Sequence, residues 1–127
     1  MKGVTYATGA LLAAERNDRR MWALHAGFLA EEVAPTVPAP VLAQAWRGGA
    51  RQASLSRLLS LCEVEPMTEE QSRAVGRLAS RSRHDDIVDL TVVEGALRRG
   101  DAVVTSDPED VQRIAAAAGR RLPLAAV

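Results

Sequence analysis

Three aspartates have the types and spacing to do chemistry. Asp86 and Asp89 open the apolar stretch Ile87-Val88-Asp89-Leu90-Thr91-Val92-Val93, and Asp107 follows directly on Val103-Val104-Thr105-Ser106. A spacing of three places Asp86 and Asp89 on one helix face. The helix is apolar on nearly every side, so a carboxylate within it is costly unless it is paired or bound to a cation. Asp107 is expected just beyond the carboxyl end of a strand, where ligands gather in open parallel sheets. Carboxylates meeting there could hold Mg²⁺ or Mn²⁺, which take oxygen ligands. Such an ion can activate water and screen charge at a phosphodiester. A structural role competes at Asp86 and Asp107, while for Asp89, expected inside the helix, a dipole role explains little. Asp85 and Asp86 suit the positive end of a helix dipole, worth about 0.3–1 kcal/mol each. Asp107-Pro108 reads equally as an N-cap with proline at the first helical position. Glu109 and Asp110 read as first-turn dipole residues.

The other reactive types carry less. His25 lies on the apolar stripe Met21, Leu24, His25, Phe28, Leu29 and reads as a core or interface residue. His84 reads as a solvated loop residue that could touch a phosphate. Arg77, Arg81 and Arg83 lead into the acidic group and could hold an RNA backbone, or simply form a solvated face. Trp46 and Arg47 could clamp a base, although Trp46 reads more simply as packing under Gly48-Gly49. A glycine-rich phosphate loop, zinc-ligand spacing and a nucleophile elbow are missing from the sequence. A receiver-type phosphorylation site would need paired acids after the first strand and a distal lysine. Here the only lysine is Lys2.

The elements that must position these residues alternate strand and helix. Strands are expected at Gly3–Tyr6, Thr36–Val37, Cys62–Glu65, Ala102–Thr105 and Leu122–Val127. Helices are expected after Thr8-Gly9, over the 21–29 stripe, from Pro40 to Gly48, over Ala53–Leu61, from the capping box Thr68/Gln71 to Arg81, over Asp85–Arg99, and after Asp107. The charged third strand, stopped by Pro66, has the character of an edge. This rhythm predicts an α/β fold with a parallel sheet covered on both faces. The 127 residues fit a single domain with an aliphatic core, since only Tyr6, Trp22, Phe28 and Trp46 are aromatic. One cysteine, Cys62, excludes an internal disulfide and a multi-cysteine zinc site. No apolar run approaches the roughly 20 residues of a membrane span. A soluble, cytoplasmic protein is the expectation. The net charge of zero hides an asymmetry, with seven basic and four acidic side chains in residues 1–62 against nine and twelve in 63–127. An overall basic footprint for nucleic acid is therefore lacking, and an RNA partner would need a local arginine patch.

Four segments in order resemble the PIN-domain ribonuclease toxins of the VapC type: Tyr6-Ala7-Thr8-Gly9-Ala10-Leu11, Pro38 to Gly49, Asp86-Ile87-Val88-Asp89, and Val103-Val104-Thr105-Ser106-Asp107. The resemblance implies a three-layer α/β/α sandwich around a parallel sheet, Mg²⁺-dependent endoribonuclease activity, a cognate antitoxin and a homodimer, for which the His25–Phe28 stripe is a candidate surface. It assigns the third and fourth acids of the family to Asp89 and Asp107, with Asp86 as an accessory, and leaves Arg47, Arg81 and Arg83 as RNA-binding candidates. Two positions depart. Ala7 stands where the family has a metal-binding aspartate, and Gln44 where it usually has a glutamate. Gln44 can accept a hydrogen bond but adds no charge.

Three readings follow. The first is a nuclease toxin whose activity is weak or absent because Ala7 supplies no ligand. The second is a non-catalytic PIN-like module that captures an antitoxin, RNA or another copy of itself. The third is an unrelated doubly wound domain whose aspartates merely cap helices.

Overall fold

Val4–Tyr6 (β1) is buried at every residue, which a strand shows when both faces of its sheet are covered. A computed structural model describes residues 3–127; Met1 and Lys2 lie outside the described residues. The remaining strands are Thr36–Pro38 (β2), Glu63–Glu65 (β3), Ala102–Thr105 (β4) and Leu124–Ala126 (β5). All pairings are parallel, in the order β3-β2-β1-β4-β5. The register pairs Thr5 with Thr36 on one side and with Val103 on the other, so β4 runs one residue beyond the end of β1, to the level of Ala7. β3 is an edge strand, and its exposed Glu63 discourages pairing with another chain.

Parallel neighbours need a crossover, and helices supply it. They are Thr8–Glu15 (α1), Arg19–Ala30 (α2), Ala39–Ala45 (α3), Ala53–Leu59 (α4, after a 3₁₀ turn at Ala50–Gln52), Glu69–Ser82 (α5), Ile87–Arg99 (α6) and Pro108–Ala117 (α7). The layers are helix, sheet, helix, as expected. The core is aliphatic: Leu11, Met21, Leu55, Leu58, Leu90 and Ile114 are fully buried, with Tyr6 the one fully buried aromatic ring. Tyr6 meets Phe28 and the buried His25, whose Nδ1 lies 2.8 Å from the Tyr6 hydroxyl. The His25–Phe28 stripe therefore faces the core, with His25 only 3% and Phe28 8% exposed, so of the two roles open for it, core or dimer surface, it takes the core. No helix of the described residues is long and apolar enough to cross a membrane.

Several boundaries differ from expectation for local reasons. Helix α3 stops at Ala45, because Trp46 is extended and Gln52 reaches in to accept from the Arg47 and Gly48 amides and donate to the Ala45 carbonyl. Thr8 is the first helical residue of α1 and does not cap it; Ala7 stands at the N-cap, and the Thr8 hydroxyl donates to Gln44 Oε1 at 2.6 Å. The Thr68/Gln71 box closes only one way. Thr68 Oγ1 accepts from the Gln71 amide, while the Gln71 side chain donates to Glu94 and Glu65. At the amino-terminal edge of the sheet, the buried Asp101 accepts from Thr5 Oγ1 at 2.8 Å and from Arg99 Nε at 2.9 Å, so its charge is satisfied.

Candidate metal centre

In a parallel sheet every strand ends at the same edge. Residue 7 follows β1, Ser106 and Asp107 follow β4, and α3 with Gln44 follows β2 at once. Helix α6 returns towards the start of β4, so its first turn, with Asp86 and Asp89, stands at that same edge. Topology thus gathers all five candidate positions, Ala7, Gln44, Asp86, Asp89 and Asp107, on one end of the molecule. The turns after β1 and β4 also touch. The Ala7 amide donates to the Val104 carbonyl at 3.0 Å, and Gly9 lies so close to Ser106 that a methyl there would stand 2.5 Å from the Ser106 Cβ.

The side chains are less uniform than that placement. Asp86 is the N-cap of α6, its Oδ1 accepting from the Val88 amide at 2.9 Å and the Asp89 amide at 3.1 Å. Asp107 is exposed and caps α7, its Oδ1 accepting from the Asp110 amide at 3.3 Å. The capping roles open for both residues in the sequence are therefore real. Asp89 lies in the first turn of α6 and not inside it, because Asp85 and Asp86 precede the helix. The dipole argument, set aside for Asp89 on the sequence, thus applies to it as well. It is nonetheless half-buried. Burial first, and then the neighbouring Asp86 charge, push the Asp89 carboxyl above its usual range; a hydrogen bond from His84 opposes them and Asp110 adds to them.

Two residues that the sequence gave plainer roles, His84 in a solvated loop and Asp110 in a helix's first turn, are the ones that converge on Asp89. His84 Nε2 stands 3.4 Å from Asp89 Oδ2, with its side chain only 17% exposed. Each of His84, Asp89 and Asp110 places one ligand atom within 4.8 Å of the others, and this is the one such group of His, Cys, Asp or Glu among the described residues. His84 reaches Asp89 because Arg83 adopts the left-handed conformation and turns the chain back at the end of α5. A histidine immediately before two helix-starting aspartates was the available signal. Asp110 is one turn along from Asp107 on α7, so a cap at 107 necessarily carries residue 110 to the same edge. Its Oδ1 also pairs with Arg113 at 3.0 Å.

The arginine candidates separate. Arg83 is exposed and adjoins His84. Arg77 and Arg81 line a groove with Leu97, Arg98, Ala118 and Arg120, at the far ends of α6 and α7. Leu97 is eight residues along the helix from Asp89, about 12 Å at 1.5 Å per residue. Arg47 donates to the Ala43 and Trp46 carbonyls of its own turn.

These donors do not fit the all-oxygen magnesium centre that the family resemblance implies. Position 7 offers no side-chain oxygen, the Gln44 oxygen is held by Thr8, and Asp86 and Asp107 each spend an oxygen on a helix cap. The set that converges is two carboxylates and an imidazole.

No family model matches the chain, and no curated protein matches it. Among solved structures it is similar to a chain of VapBC2 from Rickettsia felis, whose crystal structure holds the proteins bound to a DNA fragment from their promoter. The similarity covers 98% of each chain at a TM-score of 0.74 and 17% sequence identity. Likeness over the whole length at so low an identity speaks to the fold, and it bears out the three-layer α/β/α, PIN-like architecture and the resemblance in fold read from the sequence.

Proposed function

We propose that the chain is a PIN-type endoribonuclease toxin of a toxin–antitoxin pair whose Mg²⁺- or Mn²⁺-dependent cleavage of RNA is weak or absent. In this reading Asp89 and Asp107, with Asp86 as an accessory, are the surviving acids of its centre. The observation that carries it is the position of Ala7. It follows β1 in the middle of the sheet, hydrogen-bonded to β4 and level with the strand end that leads to Asp107. A carboxylate there would stand at the same edge as the other acids, and an alanine leaves the ion without its central ligand. The antitoxin partner is supported by the fold likeness to a protein solved as VapBC2. RNA cleavage by the chain and its Ala7→Asp and Ala7→Asp/Gln44→Glu variants, with and without Mg²⁺, tests the reading. It predicts a Mg²⁺-dependent gain in Ala7→Asp and a larger one in the double variant. Equal, metal-independent cleavage by all three would remove it.

A second reading is favoured by the 2.6 Å bond from Thr8 to Gln44. That bond ties α1 to α3 across the strand-end edge with neutral groups, as suits a module that keeps the fold only to bind. An apolar groove lined by Leu42, Trp46 and Leu59, with Trp46 42% exposed, offers such a module a surface for an antitoxin, RNA or a second copy. Antitoxin or self-association without cleavage by any variant is its expected outcome.

A further inference from the structure

We propose that His84, Asp89 and Asp110 bind a transition-metal dication of the zinc class. The site shares Asp89 with the proposed ribonuclease centre but stands on His84 and Asp110, so it goes beyond that reading and survives its failure.

Three features carry it. The first is donor chemistry. Imidazole with carboxylates suits zinc, nickel or copper, whereas magnesium takes oxygen, and affinity for such mixed sites rises along the first-row series. The second is geometry. A hydrogen bond to a carboxylate prefers about 2.7–2.9 Å, so the 3.4 Å separation of His84 Nε2 and Asp89 Oδ2 is long for one. It matches one edge of a tetrahedron with metal–ligand bonds of about 2.0–2.1 Å, roughly 3.3–3.4 Å, and Asp110 offers its ligand atom within 4.8 Å of both, near enough to close on an ion. The third is enclosure with uncompensated charge. Asp89 and Asp110 are 31% exposed and His84 is 17% exposed, while Asp86 adds a further negative charge beside Asp89. The cation at this group is Arg113, on Asp110 Oδ1. It leaves the other Asp110 oxygen and both Asp89 oxygens without a guanidinium partner. A dication would offset the two carboxylates and accept the neutral imidazole. Three protein ligands would leave one position for water or an anionic oxygen, as open zinc sites do.

The three residues come from separate stretches: the turn after α5, the first turn of α6 and the first turn of α7. A capping role accounts for Asp86 and Asp107 but gives no reason for His84 to lie inward against Asp89.

The test is calorimetric titration of the whole protein with Zn²⁺, Mn²⁺ and Mg²⁺ separately, together with the ¹⁵N NMR signals of the His84 ring. One Zn²⁺ per chain is expected, bound more tightly than Mg²⁺, with the His84 Nε2 resonance moving as the ion is added. His84→Ala and Asp110→Asn should each weaken Zn²⁺ by more than the roughly 10–100-fold that losing a mere supporting partner costs. Zn²⁺ uptake that leaves the His84 ring unmoved, or that survives both substitutions as an ion on Cys62 would, overturns the site. The ring signal is read on the unaltered chain, so this readout does not depend on the variants folding. Ribonuclease gain in Ala7→Asp without Zn²⁺ at His84 would sink this site and keep the nuclease reading; Zn²⁺ at His84 with no such gain would do the reverse.

Discussion

The contact between Gly9 and Ser106 fixes residue 7 beside the acid-bearing end of β4, and it can be tested by adding one methyl group. A side chain at Gly9 would overlap the Ser106 hydroxyl, stand 2.5 Å from its Cβ and 3.0 Å from its backbone nitrogen. Gly9 is the second residue of α1, where alanine would otherwise be favoured by up to about 0.5–1 kcal/mol. Overpacking of this kind costs about 1–3 kcal/mol. The difference predicts that Gly9→Ala destabilises the chain by up to about 2.5 kcal/mol, in place of the gain a free helical site would show. Ser106→Gly removes the hydroxyl and the Cβ but not the backbone nitrogen, so it should rescue Gly9→Ala in part, with a coupling of about 1 kcal/mol in a double-mutant cycle. Gly27→Ala in α2 and Gly76→Ala in α5 are the controls. A methyl at either meets nothing within 4 Å, and both changes should stabilise by about 0.5–1 kcal/mol. Urea unfolding followed by circular dichroism measures all five variants. If Gly9→Ala stabilises the protein as the two controls do, the turns after β1 and β4 are not in contact and the gathering of acids at this edge loses its support.

Asp86→Ala should cost about 1 kcal/mol by uncapping α6, while Asp86→Asn should cost far less because the amide oxygen still accepts the Val88 and Asp89 amides; thermal melts of the pair separate capping from charge. Tyr6→Phe should destabilise by about 1–3 kcal/mol, since it leaves the buried His25 Nδ1 without its partner, and equal stability in urea would show that bond to be dispensable. Burial holds the His25 imidazole below its usual pKa. A lowered folded-state pKa means that the unfolded chain binds the proton first, so stability should fall as pH drops below about 6.5 and level off beneath the folded value. His25→Gln should flatten that slope, and an unchanged slope would contradict it. Glu65 shows the same sign at lower pH. Its burial alone would raise its pKa, but hydrogen bonds and charges from Arg98 and Arg99 hold the carboxyl below its usual range, so its contribution should vanish as pH falls below about 4. Glu65→Gln should remove that acid-side loss from denaturation curves.

The sheet was readable because period and punctuation agreed. Val103-Val104-Thr105 between Gly100 and Pro108 allows little but a buried strand, and the charged Glu63-Val64-Glu65 announced the edge on which it lies. Gly100 in the left-handed conformation ends α6 where the sequence ended it. Helix starts were less readable, since Asp85, Asp86 and Asp89 can each begin a helix and only tertiary packing decides which one does. That two-residue shift moved Asp89 from an expected interior position to the first turn. The partners of Asp89 were harder still. His84 is separated from it by five residues and turned inward by the left-handed Arg83, a conformation that an arginine does not advertise. Asp110 meets it only because α6 and α7 lie side by side, which is information about the fold and not about either segment.

Acids from distant stretches meet at one end of the sheet, and the proposed nuclease centre requires that a cation once filled the place between them, with Ala7 in the position of its missing ligand. Mn²⁺ binding to the chain and to Ala7→Asp, followed by electron paramagnetic resonance, addresses this directly. Clearly tighter Mn²⁺ binding is expected in Ala7→Asp, lost again when Asp107→Asn is added. Identical Mn²⁺ affinity in the chain and in a folded Ala7→Asp variant would contradict it.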